Sequence, residues 1–271
     1  GEALAAGSVV ASRGRVLGPR SLALLAASGQ AFVAAAPRPH VVVLSTGSEL
    51  VGPGEPLGPG QIYDSNSVML QAAAIRAGAT AEAHAAVADS EGALVALLAE
   101  VLDRADVVVS SGGVSMGAYD VVKAALREED VDFVSVAMQP GKPQGFGFLT
   151  SPAGRRVPIF ALPGNPVSAY VSFEVFVRPA LRRLSGRGCE VRAPRSGVLT
   201  APLRSPQGRR QFARAVATCD TSGLRAEPVH GQGSHFVADL ARANALVVVP
   251  EHVTHLDAGA VVDVLLLDEE G

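Results

Sequence analysis

Residues 105–109, Ala-Asp-Val-Val-Val, lead directly into Ser110-Ser111-Gly112-Gly113-Val114-Ser115-Met116-Gly117, with Asp120 close behind. A β-branched run of this length predicts a strand buried on both faces of a parallel sheet. Residues 119–127 then predict a helix with Val121, Val122, Ala125 and Leu126 on its apolar side. A strand, a glycine-serine loop and a helix in that order aim backbone N–H groups and the helix's positive end at an anion. Paired glycines let the main chain approach a phosphate closely, and serines add hydroxyl donors. The carboxylate of Asp120 repels a bare phosphate, so it fits such a cradle only with a cation or a protonated group in between. Taken alone, the loop reads equally as a tight turn with solvated serines.

The pattern recurs along the chain. His40-Val41-Val42-Val43-Leu44 predicts a core strand, and Ser45-Thr46-Gly47-Ser48-Glu49-Leu50 a second small-hydroxyl loop at its C-terminal end, where open α/β sheets bind ligands. Glu49 is either a solvated loop acid or part of that site. Residues 51–60 contain three prolines and four glycines and predict an irregular loop. Asp64-Ser65-Asn66 precedes a helix over 67–77, ended by Gly78. Capping explains the triplet, and Asp64 and Asn66 reaching a ligand at the same sheet edge is the sharper reading. A strand over 80–87 leads to Asp89-Ser90, a cap for a helix over 91–104, so capping competes with any site role for Asp89.

A further strand over 131–138 precedes residues 139–148, read as a loop stiffened by Pro140 and Pro143 that presents Lys142. A lysine on a stiff loop loses less conformational entropy on binding an oxyanion; a solvated turn lysine is the alternative. The strand over 157–162 runs into Pro163-Gly164-Asn165-Pro166 and a long helix over 167–184. Asn165 as N-cap with Pro166 in the first turn makes another anion-facing helix start. Repeated βα units predict an α/β fold: a three-layer α/β/α sandwich with a mostly parallel sheet, over residues 38–185.

The flanks differ. Residues 1–37 predict short extended pieces, turns and a two-turn helix over 21–28, a β-rich remnant of an N-terminal domain whose remainder is absent. Pro37-Arg38-Pro39 reads as a stiff linker. Residues 186–271 predict a small all-β, barrel-like domain with strands near 197–200, 210–217, 225–229, 245–250 and 260–267. Arg214 and Ser234 are its polar candidates, set against readings as surface charge and turn serine. His252 and His255 have metal-pair spacing but no acidic or cysteine companions. Formal charge of −3 excludes a basic nucleic-acid footprint, and no apolar run reaches the ~20 residues of a membrane helix. Cys189 and Cys219 share no metal-type spacing, and a reduced cytoplasmic protein is expected.

Five motifs in order, Ser45–Leu50, Gln61-Ile62-Tyr63-Asp64-Ser65-Asn66, Ser110–Gly117 with Asp120, Pro140-Gly141-Lys142-Pro143 and 162–168, resemble those of the molybdopterin molybdenumtransferases. These are the MoeA-type molybdenum-insertion enzymes, with which the C-terminal domain of gephyrin groups. The resemblance spans the chain and leaves out the family's N-terminal portion. It implies a transferase of molybdenum cofactor biosynthesis that inserts molybdate into adenylylated molybdopterin and releases AMP. It further implies Mg2+ or another divalent cation, a homodimer, and a molybdopterin adenylyltransferase as a partner. On this likeness Glu49, Asp89, Asp120 and Lys142 are the catalytic candidates, with Glu49 and Asp120 on the metal. Thr46, Gly47, Asp64, Ser65, Asn66, Ser111, Gly112, Gly113, Ser115, Gly117, Pro163, Gly164 and Asn165 would bind substrate. Arg214 and Ser234 match positions that line the molybdate region. One departure is Gln139, where many relatives have a second lysine. A non-catalytic molybdopterin-binding or scaffold fragment and a molybdopterin adenylyltransferase are the alternatives; the trailing β domain argues against the latter.

Overall fold

The computed structural model describes residues 4–87, 90–114, 121–187, 191–229, 231 and 233–268. The elements are α1 (Pro19–Ala27), β1 (His40–Thr46), β2 (Leu50–Val51), β3 (Ile62–Tyr63), α2 (Asn66–Arg76), β4 (Thr80–Val87), α3 (Glu91–Val101), β5 (Val107–Ser111) and α4 (Val121–Ala125). Next come β6 (Asp130–Ser135), β7 (Met138–Gln139), β8 (Pro143–Thr150), β9 (Arg156–Leu162), α5 (Pro166–Ser172), a π-helical turn (Phe173–Val177) and α6 (Arg178–Leu184). The remainder is β10 (Arg195–Leu199), β11 (Leu203–Arg204), β12 (Arg210–Asp220), β13 (Gly223–Pro228), α7 (Val237–Arg242), β14 (Ala245–Val249), β15 (His255–Leu256) and β16 (Val261–Leu266).

The first large sheet has the order β4-β1-β5-β9-β8-β6. β4, β1, β5 and β9 run parallel; β8 and β6 close the sheet antiparallel. Alternation across the pleat divides the valines. Val42, Leu44 and Val108 pack under α3 and α4, while Val41, Val43, Val107 and Val109 pack under α2 and the helical run 166–184. All seven are fully buried, each worth roughly 1.5–3 kcal/mol relative to exposure. With both faces covered, the parallel strand ends must all open at one edge.

The second large sheet, β13-β10-β16-β14-β12, closes on itself through β12–β13 pairing and forms a five-stranded barrel. β7 from the α/β part adds to it beside β12. Met138, Val167 and Val171 also share a core with Leu240, Leu246 and Leu267, so apolar burial joins the two parts.

Three expectations change. Residues 4–39 contain α1 and turns and no strand among the described residues: Pro19 starts a helix, Gly29 at φ +83° ends its turn, and neither sheet reaches this segment. The stretch 139–148 is a loop only over 140–142: Gln139 ends β7, and β8 then pairs along β6. Its glycines are demanded by close packing, since a Cβ at Gly147 would stand 2.0 Å from the Asp130 carbonyl and one at Gly145 2.8 Å from the Phe133 ring. The long helix widens at residues 173–177, where the Arg178 N–H bonds the Phe173 carbonyl, just before Pro179 removes a donor from the ladder.

Among the described residues no helix is long and apolar enough to cross a membrane.

Candidate functional site

The C-terminal ends of β1, β5 and β9 open on a cleft of about 740 Å³, completed by β2–β3, the start of α2, the start of α5 and residues 235 and 237 from the barrel side. Thr46, Gly47, Glu49, Asp64, Ser65, Asn66, Ser111, Gly112, Gly113, Pro163, Gly164 and Asn165 all line it. Loops separated by more than a hundred residues of sequence therefore meet at one sheet edge. Asp89, Ser115, Gly117 and Asp120 lie outside the described residues.

Backbone contact sets the loop spacing. Gly112, at φ +94°, donates its N–H to the Leu162 carbonyl. A Cβ on it would sit 2.5 Å from the Thr46 carbonyl, so only glycine fits. Gly113 follows at φ +68°, and a Cβ on Gly164 would point at the Gly112 Cα from 3.4 Å. Asn66 ties the edge together: its Nδ2 donates to Ser111 Oγ at 2.7 Å and to the Gly164 carbonyl at 2.6 Å. Its Oδ1 is buried without a hydrogen-bond partner.

Asp64 is 1% exposed, and its Oδ1 accepts from Ser45 Oγ and from the Ser67 N–H, both at 3.0 Å. It thus caps α2, as one of the two sequence readings had it. Glu49 is an exposed acid on the rim, with its carboxylate folded over Gly47. Asn165 precedes α5 in extended geometry, with Pro166 in the first turn and no side-chain bond to the helix. Instead its Nδ2 donates to Ser234 Oγ at 3.0 Å, and the Val167 N–H donates to the Ser234 carbonyl.

Lys142 is exposed, and its ammonium makes no ion pair or hydrogen bond among the described residues. It does not line the cleft, although its neighbour Pro143 does. Its loop is pinned by Gln144, which is 6% exposed and donates through Nε2 to the Gly141 carbonyl (2.7 Å) and to Ser172 Oγ (2.6 Å). Gln139 accepts from Arg209 Nη1 at 3.2 Å, which brings a guanidinium beside it.

Arg214 is not a surface charge. It is 1% exposed and donates to the carbonyls of Phe236, Gly231 and Gly233 at 3.0, 2.6 and 3.0 Å. It holds the loop that carries Ser234, and burial lowers its pKa from the ordinary guanidinium value. Sequence reasoning missed His235 on the cleft wall, Tyr63 on its rim and the clamp at Gln144. No group of three His, Cys, Asp or Glu capable of holding a metal exists among the described residues, and His255 instead faces Asp257 at 3.0 Å.

A family model described as "Probable molybdopterin binding domain" matches residues 42–183, and one described as "MoeA C-terminal region (domain IV)" matches 196–267. A protein of Mycobacterium tuberculosis named molybdopterin molybdenumtransferase 2 is 47% identical over 266 residues, covering 96% of this chain and 64% of that protein. The molybdopterin molybdenumtransferase of Bacillus subtilis is 34% identical, covering 100% of this chain and 62% of its own length. A crystal structure titled molybdopterin biosynthesis moea protein, from Pyrococcus horikosii, superposes with a TM-score of 0.78 at 32% identity, over 96% of this chain and 62% of that one. The chain thus spans less than two thirds of the length of these relatives.

Proposed function

Because this chain belongs to the molybdopterin-binding domain family and ends in a MoeA-type domain IV, we propose that it acts in molybdenum cofactor biosynthesis as a molybdopterin molybdenumtransferase. The substrate is adenylylated molybdopterin; molybdate enters at the dithiolene and AMP leaves. The observation that carries this reading is the convergence of three strand-end loops and the start of the helical run 166–184 on one cleft.

With the Gly112 N–H bonded to Leu162 and the Val167 N–H to Ser234, the Gly113 N–H is the loop donor offered to the pterin phosphate. Thr46 and Ser65 add hydroxyl donors, Ser111 directs its own O–H to the Pro163 carbonyl, and the orphaned Asn66 Oδ1 accepts from an N–H of the pterin. Lys142 supplies a mobile positive charge for the molybdate dianion at the Pro143 side. Arg209, which donates to Gln139, supplies a second positive charge beside it. Arg214 acts at one remove, by shaping the Ser234 loop.

A divalent cation is a poor fit to the described residues. Glu49 is the rim carboxylate, Asp64 is engaged by Ser45 and Ser67, and a hard cation demands about six oxygens. A cation role stays with Glu49 and Asp120, the latter outside the described residues, and no step here runs through a metal. Homodimerisation, a cytoplasmic location and handover from an adenylyltransferase belong to the same proposal. AMP release from adenylylated molybdopterin, measured with and without molybdate, tests it on this chain and on one extended to the length of its relatives. Molybdate-dependent release supports the transferase; binding of molybdopterin with no release from either chain favours a binding or scaffold module.

A further inference from the structure

A second cavity, about 250 Å³, opens between α2, the π turn with α6, and Arg187 and Arg192. It lies toward the opposite end of α2 from the cleft, since Asn66 begins that helix and Arg76 ends it. Arg76, Arg178, Arg182, Arg187 and Arg192 line it with one described carboxylate, Glu174. Glu174 is already held by Arg192 Nε at 2.7 Å and lies 3.8 Å from Arg178 Nε.

Two of the guanidinium groups have donors to spare. Arg178 is 4% exposed, and its Nη1 is buried with no hydrogen-bond partner, an unfavourable state for a charged donor. Arg187 packs against Gly78, where an added Cβ would lie 2.6 Å from Nη2, and its guanidinium makes no hydrogen bond or ion pair among the described residues. Burial, and then the charge of Arg192, lower the Arg178 pKa to about 10, so the group is still a cation at neutral pH. Burial, and then the charge of Glu174, push the Tyr170 phenol up to about 12, so it stays neutral. The irregular π turn sits on this wall, a geometry that recurs at functional sites.

We infer that this cavity is a binding site for a small tetrahedral oxyanion of the phosphate class, free or as the end group of a phosphomonoester, gripped by Arg178 and Arg187. Guanidinium forks match such an oxyanion two oxygens at a time, and the half-closed cavity limits its size. This inference does not depend on the reaction proposed for the cleft.

Calorimetric titration of the chain at constant ionic strength tests it, with inorganic phosphate in one arm and glycerol 3-phosphate in the other. Because the cleft is also expected to take phosphate, the titrations are repeated with Gly164→Val, which narrows the cleft alone. Saturable binding that survives Gly164→Val and weakens at least ten-fold in Arg187→Gln supports the site. Binding in both arms assigns a phosphomonoester; binding in the phosphate arm alone assigns the free ion. Arg178→Gln should act in the same direction, and if it unfolds the chain Arg187→Gln decides. No saturable binding in Gly164→Val, or equal affinity in Arg187→Gln, overturns the inference.

Discussion

Asn165 donates through Nδ2 to the Oγ of Ser234 at 3.0 Å, so the residue that starts the helical run 166–184 is tied to a loop of the barrel rather than to its own helix. The Val167 N–H to Ser234 carbonyl bond repeats the link two residues on. The cleft is built across this joint, and the barrel positions one of its walls.

Asn165→Ala and Ser234→Ala each remove the same side-chain hydrogen bond, worth about 0.5–1.5 kcal/mol. The double variant should lose less stability than the sum of the two, with a coupling of about 0.5–1 kcal/mol in denaturant titrations. Full additivity would show that the bond does not hold the joint.

Arg214→Met removes the buried donor shared by the carbonyls of Gly231, Gly233 and Phe236. A loss of about 3 kcal/mol or more in unfolding free energy is expected. Molybdopterin binding should weaken alongside it through disorder of the Ser234 loop. A variant as stable as wild type, with only the molybdate requirement changed, would restore Arg214 to direct contact with molybdate.

Lys142→Ala removes an exposed ammonium with no partner among the described residues, so stability should change by under about 0.5 kcal/mol. The molybdate concentration for half-maximal insertion should rise. Gln144→Leu, which frees the Gly141–Ser172 clamp, should raise it too; an unchanged requirement in both removes this loop from the site.

Glu82 gives the acid limb of stability. Burial raises its pKa, but hydrogen bonding from Arg104 and His84 outweighs burial, and the folded value lies below 4.5. A depressed carboxyl pKa contributes stability that is fully present above the unfolded value and lost as pH falls through the folded one. Glu82→Gln should therefore flatten the decline of the melting temperature below pH 4.5; an unchanged decline would show that the Arg104 contact contributes nothing.

The cleft loops were legible because strand-end glycines and hydroxyls sit beside valine runs that can only be core. Gly112 illustrates it: the chain needs both its positive φ and its missing Cβ, and the doublet Gly112-Gly113 announces both. β8 was not legible, because Gly145 and Gly147 look like loop residues until Phe133 and Asp130 are known to press against them. Arg214 was misleading for a related reason: alternation puts a charge on a strand, and only the tertiary fold supplies three carbonyls to satisfy it. Gln144 and the arginines around Glu174 act across long sequence separations, and no local pattern marks them.

Gly164→Val directs a branched side chain into the gap facing Gly112, at an exposed position where stability should hold. Titration of molybdopterin into wild type and this variant is the most direct measurement of whether the cleft holds the pterin phosphate. The structure predicts saturable binding by wild type and an affinity at least ten-fold lower in Gly164→Val, with the melting temperature unchanged. Equal affinity in the two proteins would place the pterin somewhere else and contradict the proposed site.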